Sequence, residues 1–564
     1  MSNSEISARE PWARRALYPV AVVILATLLY LPLLRREGFH SHEDVGLYLR
    51  VLEYLGEIRA GHWPPQSFPS LFSGAGYAFP RFYPPLGSSV AALLTAVSGD
   101  VVVGVHLAFL ASLILSGLAM YVFIVSVTRN RAAALIGAIA YIGFPYRFQD
   151  VLVRGALAEC WSFVWYPLIL LAGWRLQEGR RLPWYLPIAV AGLLLSHPLM
   201  TLYFALVCAI LVLCWRPLPS RAGIVGACGA LAVALGLTAW FWLPQKYYLP
   251  SVRASDPALV WADPSSVERE RISPLTAVTG IPERNAMNLT VGGLAIGANL
   301  LVIGAWVSRK GAKKPNLPLL YRAGWLLLPW WALLAFMILP RPPLRVLPSA
   351  FAYIQFPWRL LGPMGLLAAA SFALLIAAWH SSRVTIGGLW IVLASLISAG
   401  VSPNVRPEWT AGRLAQRLAP PGPDSGLDGA AEFLPLTLPW IRRGYDEVVD
   451  SLNRSIRLGP RAAPGVSVDS YARSGSQTRV RVSAADSGAV VLPLIYYDFY
   501  SASRGEGPSV ALRDSLGMVT FTAPPGRHII TINERLTWPY LVAISISVLT
   551  VLVWAIILVR RRKA

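Results

Sequence analysis

Apolar runs about as long as the ~20 residues that cross a bilayer alternate with short polar stretches through most of the chain. They predict spanning helices over 17–34, 101–127, 132–147, 160–174, 183–199, 200–215, 222–243, 289–308, 319–339, 358–379, 384–401 and 538–559. The segment Leu86–Ser98 is apolar but short, and reading it as a full span would reverse the parity of everything after it; it is expected to be partial or re-entrant. The fold class expected is a polytopic α-helical membrane protein of about 12–13 spans.

The pattern changes after residue 401. Short alternating stretches at Val466–Tyr471, Arg479–Val482, Val490–Tyr497, Met518–Thr522 and His528–Ile532 are separated by Gly, Pro and Ser turns. The organisation expected is a multi-span region 1–401, a small β-sandwich over 402–537, and a last helix with a basic tail over 538–564.

Composition agrees with a membrane chain: 55% of the residues are hydrophobic and only 14% charged. Many of the 21 Trp and 22 Tyr fall near the ends of apolar runs, as at Trp240, Trp242, Trp325, Trp330, Trp538 and Tyr540, where lipid headgroups are expected. The net charge of +21 does not describe a nucleic-acid surface. Its arginines and lysines sit in short clusters between apolar runs, at Arg9/Arg14/Arg15, Arg129/Arg131, Arg175/Arg180/Arg181, Arg216/Arg221, Arg309/Lys310/Lys313/Lys314, Arg383 and Arg560–Lys563. If twelve spans alternate, these clusters share the cytoplasmic side, both termini are cytoplasmic, and the first helix is retained because no small-residue cleavage site follows it. The large connections 35–100, 148–159, 244–288 and 340–357, with 402–537, then lie outside. Cys160, Cys208, Cys214 and Cys228 lie in or beside apolar runs and form neither a disulfide framework nor a CxxC metal site.

The first outer connection crowds acids and imidazoles: Phe39-His40-Ser41-His42-Glu43-Asp44. A partly desolvated carboxylate at the mouth of a membrane cavity can take a proton from an incoming hydroxyl, which makes Asp44 and Glu43 candidate bases. An exposed acidic first turn of a helix explains the same residues equally well. His40, His42, Glu43 and Asp44 are also candidate ligands of a divalent ion such as Mg or Mn, although neighbours on an extended segment point to opposite faces.

A second connection carries Tyr146-Arg147 and then Arg154-Gly155-Ala156-Leu157-Ala158-Glu159. Charges at a membrane boundary are costly unless partnered, so Arg154 is a candidate for a lipid phosphate, with Glu159 orienting it; a structural Arg–Glu bridge is the alternative. His197 near a helix end and Arg359 at the start of another are further candidates, against helix packing and snorkelling respectively. No GxSxG, HExxH, Walker loop or dinucleotide fingerprint appears.

Taken in order, these motifs resemble the large bacterial membrane proteins labelled 6-pyruvoyl-tetrahydropterin synthase related, which belong with the GT-C membrane glycosyltransferases. The resemblance rests on Gly74-x-Gly76-Tyr77 and Tyr83-Pro84-Pro85, Arg154-Gly155-Ala156-x-x-Glu159, Ser196-His197, and Phe241-x-Leu243-Pro244. It continues through Phe356-Pro357-x-Arg359, Glu432-Phe433-Leu434-Pro435 and Pro524-Pro525-Gly526-x-His528. No three-histidine zinc site is visible, so the label implies no pterin chemistry.

The resemblance implies transfer of a sugar from a polyprenyl-phosphate donor to a glycan, lipid or protein acceptor of the cell envelope, at the outer face of the inner membrane. It assigns the base to Asp44, with Glu43 as substitute. Because a lipid-anchored phosphate lies at headgroup level, where arginines at helix ends can hold it, Arg154 and Arg359 are the phosphate candidates with Arg253 as a third; His42, Glu159, His197 and Tyr77 are further substrate-binding candidates. The family's loop commonly carries a His a few residues after the Asp, where this chain has Tyr48 and Leu49. A transporter or flippase for lipid-linked sugars, or a non-catalytic assembly component, are the competing expectations; paired broken helices in related halves, which a transporter would show, are not visible.

Overall fold

The computed structural model describes residues 12–39, 41–72, 74–214, 219–256, 316–338, 356–379, 407–409, 433–439, 441–442, 445–505 and 508–563. The expected spans 289–308 and 384–401 lie outside these residues. The chain divides into two compact units, one of 1–43, 105–234 and 264–408, the other of 44–104, 235–263 and 409–564.

The first unit is a helical bundle. Val101–Thr128, most of which belongs to it, Leu157–Gln177 and Trp358–Trp379 are long and apolar enough to cross a membrane. Shorter apolar helices, Ala16–Leu29, Arg131–Ile142, Leu186–Ser196 and Pro198–Leu213, accompany them. Leu361–Trp379 is the axis of this unit: Leu366, Leu367, Ala369, Ala370, Phe372 and Ala373 are all fully buried. Small residues let helices approach it closely, and a Cβ on Gly137 would come within 2.8 Å of the Ala373 Cβ.

The second unit joins helix Asp44–Arg59, the short helix Pro85–Ser98, helix Ala239–Tyr248, a sandwich of strands and the last helix. Fourteen residues of Pro85–Ser98 reach only about 21 Å, less than the ~30 Å of a hydrocarbon core. The last helix, Trp538–Lys563, exposes Leu541, Val548, Leu549, Leu552 and Ile556, each more than half accessible. Such a surface, on a helix long and apolar enough to span, suits lipid tails. The run 222–243, expected as one span, is bent by 71° between Arg221–Leu237 and the helix that follows.

Strands β1 (Arg461–Ala462), β2 (Val466–Ser474), β3 (Gln477–Ala484), β4 (Gly488–Ile495), β5 (Tyr500–Arg504), β6 (Ser509–Val510), β7 (Leu512–Ser515), β8 (Met518–Ala523) and β9 (Gly526–Glu534) form two antiparallel sheets. Their orders are β1-β4-β8-β7 and β2-β3-β9-β5-β6. Alternation sends Val480, Val482, Val490, Leu492, Leu494, Phe521, Ile530 and Ile532 inward. An amphipathic helix, Tyr445–Arg457, precedes the strands and buries Val448 and Leu452 one turn apart. It was not expected, because its few apolar residues are diluted by charge.

Within this unit the sandwich is tied to the connection that follows the first helix by polar groups. Ser67 Oγ donates to Glu534, Arg473 Nη1 donates to the Gly74 carbonyl at 2.8 Å, and Ser476 Oγ lies 3.1 Å from His62 Nδ1. Gly76 makes room for this: its φ is +78°, and a Cβ would come within 2.7 Å of both Arg473 terminal nitrogens. The Gly74-x-Gly76 motif therefore has a physical reason, since both positions need the left-handed backbone.

Candidate functional site

The site is built where helix Leu157–Gln177 begins. Pro145–Phe148 and a π-helical turn, Gln149–Val153, bring the chain to Gly155 at φ +67°. A Cβ there would meet the Ser41 Oγ at 2.6 Å, so glycine admits the segment 41–43 against the turn. The His42 amide donates to the Val153 carbonyl at 2.9 Å and the Glu43 amide to the Arg154 carbonyl at 3.2 Å. His42 itself is exposed and Glu43 half-buried.

Arg154, 9% exposed at its side chain, gathers the buried acids of this turn. Its Nη1 donates to Asp150, to Glu159 Oε2 at 2.7 Å and to the Tyr146 hydroxyl at 3.1 Å. Tyr146 in turn donates to Glu159 Oε1 at 2.6 Å, and the Cys160 thiol donates to Asp150 Oδ2 at 3.2 Å. Arg359 closes the group with Nε 3.5 Å from Glu159 Oε2. The Trp358 ring lies beneath both cations, 4.6 Å from Arg154 Cζ and 5.9 Å from Arg359 Cζ. His197, whose Nδ1 accepts from the Met200 amide at 3.4 Å, is within electrostatic reach of Glu159, Arg154 and Arg359.

Two members of this constellation were not singled out from the sequence. Asp150 is fully buried and is the second acid on Arg154. Arg147 is 1% exposed; Nη2 donates to Ser116 Oγ at 3.1 Å, its Cζ sits 4.1 Å from the Phe163 ring centre, and Nε and Nη1 have no hydrogen-bond partner among the described residues. Counting Arg147, Arg154 and Arg359 against Asp150 and Glu159, with His197 neutral, leaves one excess positive charge. A buried surplus of this kind favours an anion, and forked guanidinium donors suit a phosphate.

The remaining candidates, His40 apart, belong to the second unit. Asp44 is the first residue of helix Asp44–Arg59. Tyr77 is fully buried; its hydroxyl accepts from the Phe433 amide at 3.0 Å and its ring packs among Phe72, Phe79 and Phe433. Arg253 is 7% exposed, and its amide donates to the Leu434 carbonyl at 2.9 Å. His40 lies outside the described residues, and among those described no group of three or more His, Cys, Asp or Glu is placed to hold a metal ion.

Also in the second unit, Glu57 pairs with His62 Nδ1 at 2.9 Å. Burial, aided by Glu53, pushes the Glu57 carboxyl up to about 7. Burial likewise carries Glu534 up to about 7 against the pull of Ser67 and Arg473. Arg81, 2% exposed, donates to Asp498 Oδ1 at 2.9 Å and to Gln66, with Tyr248 at 3.9 Å and Phe499 at 4.6 Å from its Cζ.

No curated protein sequence matches the chain. Among solved structures it is similar to the arabinofuranosyltransferase AftD from Mycobacteria, at 13% identity and a TM-score of 0.48, with 92% of this chain covered. The chain spans 40% of that protein's length. Over residues 80–258, the stretch that carries Arg154, Glu159 and His197, the sequence matches the family described as 6-pyruvoyl-tetrahydropterin synthase related domain, membrane protein.

Proposed function

We propose that the chain is a membrane glycosyltransferase that takes a sugar from a polyprenyl-phosphate carrier and passes it to an envelope acceptor at the outer face of the inner membrane. The observation that carries this reading is the buried pairing of Arg154 and Arg359 with Asp150 and Glu159, with the buried Arg147 on the turn that precedes them, so that arginines formally outnumber carboxylates by one at the start of a helix long enough to span. A polyprenyl chain stays in lipid and its phosphate lies at headgroup level, where arginines at helix ends can hold it.

In the transfer, the acceptor hydroxyl oxygen bonds to the sugar C1 as the C1–O bond to phosphate breaks. The hydroxyl proton goes to a carboxylate, assigned to Asp44 with Glu43 adjacent, and the negative charge goes to the departing phosphate beside Arg154 and Arg359. Asp150 and Glu159 fix the Arg154 fork, and His197 neighbours the same phosphate position.

The test is binding of a short polyprenyl phosphate to the purified protein and to Arg154→Gln. The reading expects affinity to fall on the order of tenfold or more, the worth of charge-assisted hydrogen bonds. Equal binding by both proteins would remove Arg154 from the phosphate site.

A further inference from the structure

A second basic site lies at the opposite end of the same helix. Leu157–Gln177 has 21 residues and is about 30 Å long, which puts Trp174–Glu178 about 22–28 Å along the helix from Glu159. There a cleft of about 350 Å³, open mouth included, is lined by Ser126, Arg129, Trp174, Arg175, Glu178 and Arg180. A narrower recess beside it shares Trp174 and is lined by Gln177, Arg322 and Trp325.

The charges in these walls do not balance. Glu178 is their one carboxylate, and it is already engaged by Trp174 Nε1 at 3.0 Å, Arg180 Nε at 3.0 Å and Arg322 Nη1 at 3.3 Å. The Arg322 Cζ also sits over the Trp174 ring, 4.3 Å from its centre. Arg129 and Arg175 line the cleft with no ion pair to a carboxylate among the described residues. Arg129 follows helix Val101–Thr128 at φ +58°, a left-handed conformation that an arginine adopts at a cost. Side chains that served only to mark the cytoplasmic side would need neither an indole floor nor a cleft.

We infer that this cleft binds the phosphate of an anionic phospholipid headgroup, with Arg129 and Arg175 as its principal ligands, Arg322 and Trp174 as its wall, and Ser126 and Gln177 available to headgroup hydroxyls. Basic pockets between helix ends are where such headgroups are recognised. The site is separate from the Arg154 cluster and stands whether or not that cluster handles a polyprenyl phosphate.

Native mass spectrometry of the full-length protein in detergent tests it, with phosphatidylglycerol, phosphatidylcholine and inorganic phosphate as probes. The wild type is expected to retain phosphatidylglycerol in preference to phosphatidylcholine, and the double variant Arg129→Gln/Arg175→Gln to lose that retention by on the order of tenfold. Arg129→Lys/Arg175→Lys, which keeps both charges, is expected to retain most of it. Equal retention of the two lipids by the wild type, or unchanged retention in the glutamine variant, overturns the site. Displacement of the lipid by millimolar inorganic phosphate would reassign it to a free anion.

Discussion

The Glu43 amide donates to the Arg154 carbonyl at 3.2 Å, so the acidic first connection and the arginine turn are joined through backbone. Gly155 permits this approach, with φ +67° and no Cβ to strike Ser41. Gly155→Ala is therefore expected to cost about 1–2 kcal/mol in backbone strain alone, to displace the 41–43 segment, and to abolish activity while the protein still inserts. Turnover measured alongside a thermal melt separates the two effects.

Arg147 is buried with two donors unpaired among the described residues. Its replacement by a similar-sized apolar residue relieves that burden, so Arg147→Met is expected to leave the melting temperature unchanged or raised. The same change lowers the charge of the site from one in excess to zero, and binding of polyprenyl phosphate is expected to weaken by about tenfold. Parallel melting and binding measurements check both halves.

The second unit should respond to pH in a defined direction. Glu57 and Glu534 are raised by burial from 4.5 to about 7, so the folded state binds protons that the unfolded chain releases. Their contribution is fully present below about pH 4.5 and is lost as pH rises through about 7. Thermal melts of the unit containing the sandwich are expected to fall as pH rises from about 4.5 to about 7, with a smaller fall in Glu534→Gln. A pH-independent melt in the wild type contradicts this.

Arg81 combines an ion pair to Asp498, hydrogen bonds to Gln66, and the rings of Tyr248 and Phe499. Lysine keeps the charge but not the planar fork that stacks. Arg81→Ala is expected to destabilise the unit by about 2–4 kcal/mol and Arg81→Lys by about half of that, as read from denaturant or thermal unfolding in detergent.

Periodicity made the regular elements legible. The run 101–127 appears as Val101–Thr128, the run 160–174 as Leu157–Gln177, and each alternating stretch after 460 falls within a strand or overlaps one. What hydrophobicity does not encode is backbone direction within an apolar run. The 71° bend at Thr238 has no proline at the break, and the π-turn at 149–153 leaves no compositional mark. Arg154 and Glu159 could be paired from five-residue spacing at a membrane boundary. Asp150 could not, because its place on Arg154 depends on that same π-turn, and Arg147 could not, because nothing in the sequence marks it as buried against Ser116 and Phe163. Tyr77 illustrates the converse: a motif tyrosine that the resemblance offers to substrate is fully buried among phenylalanine rings.

The central claim, sugar transfer from a polyprenyl-phosphate donor with Asp44 as base, is tested most directly by mass spectrometry. Envelope glycans and lipid-linked sugars would be compared in a deletion strain carrying either the wild type or Asp44→Asn. With both proteins inserted equally, the account predicts that Asp44→Asn leaves one glycan short of a sugar while its polyprenyl donor accumulates. A wild-type profile restored in full by Asp44→Asn would contradict it.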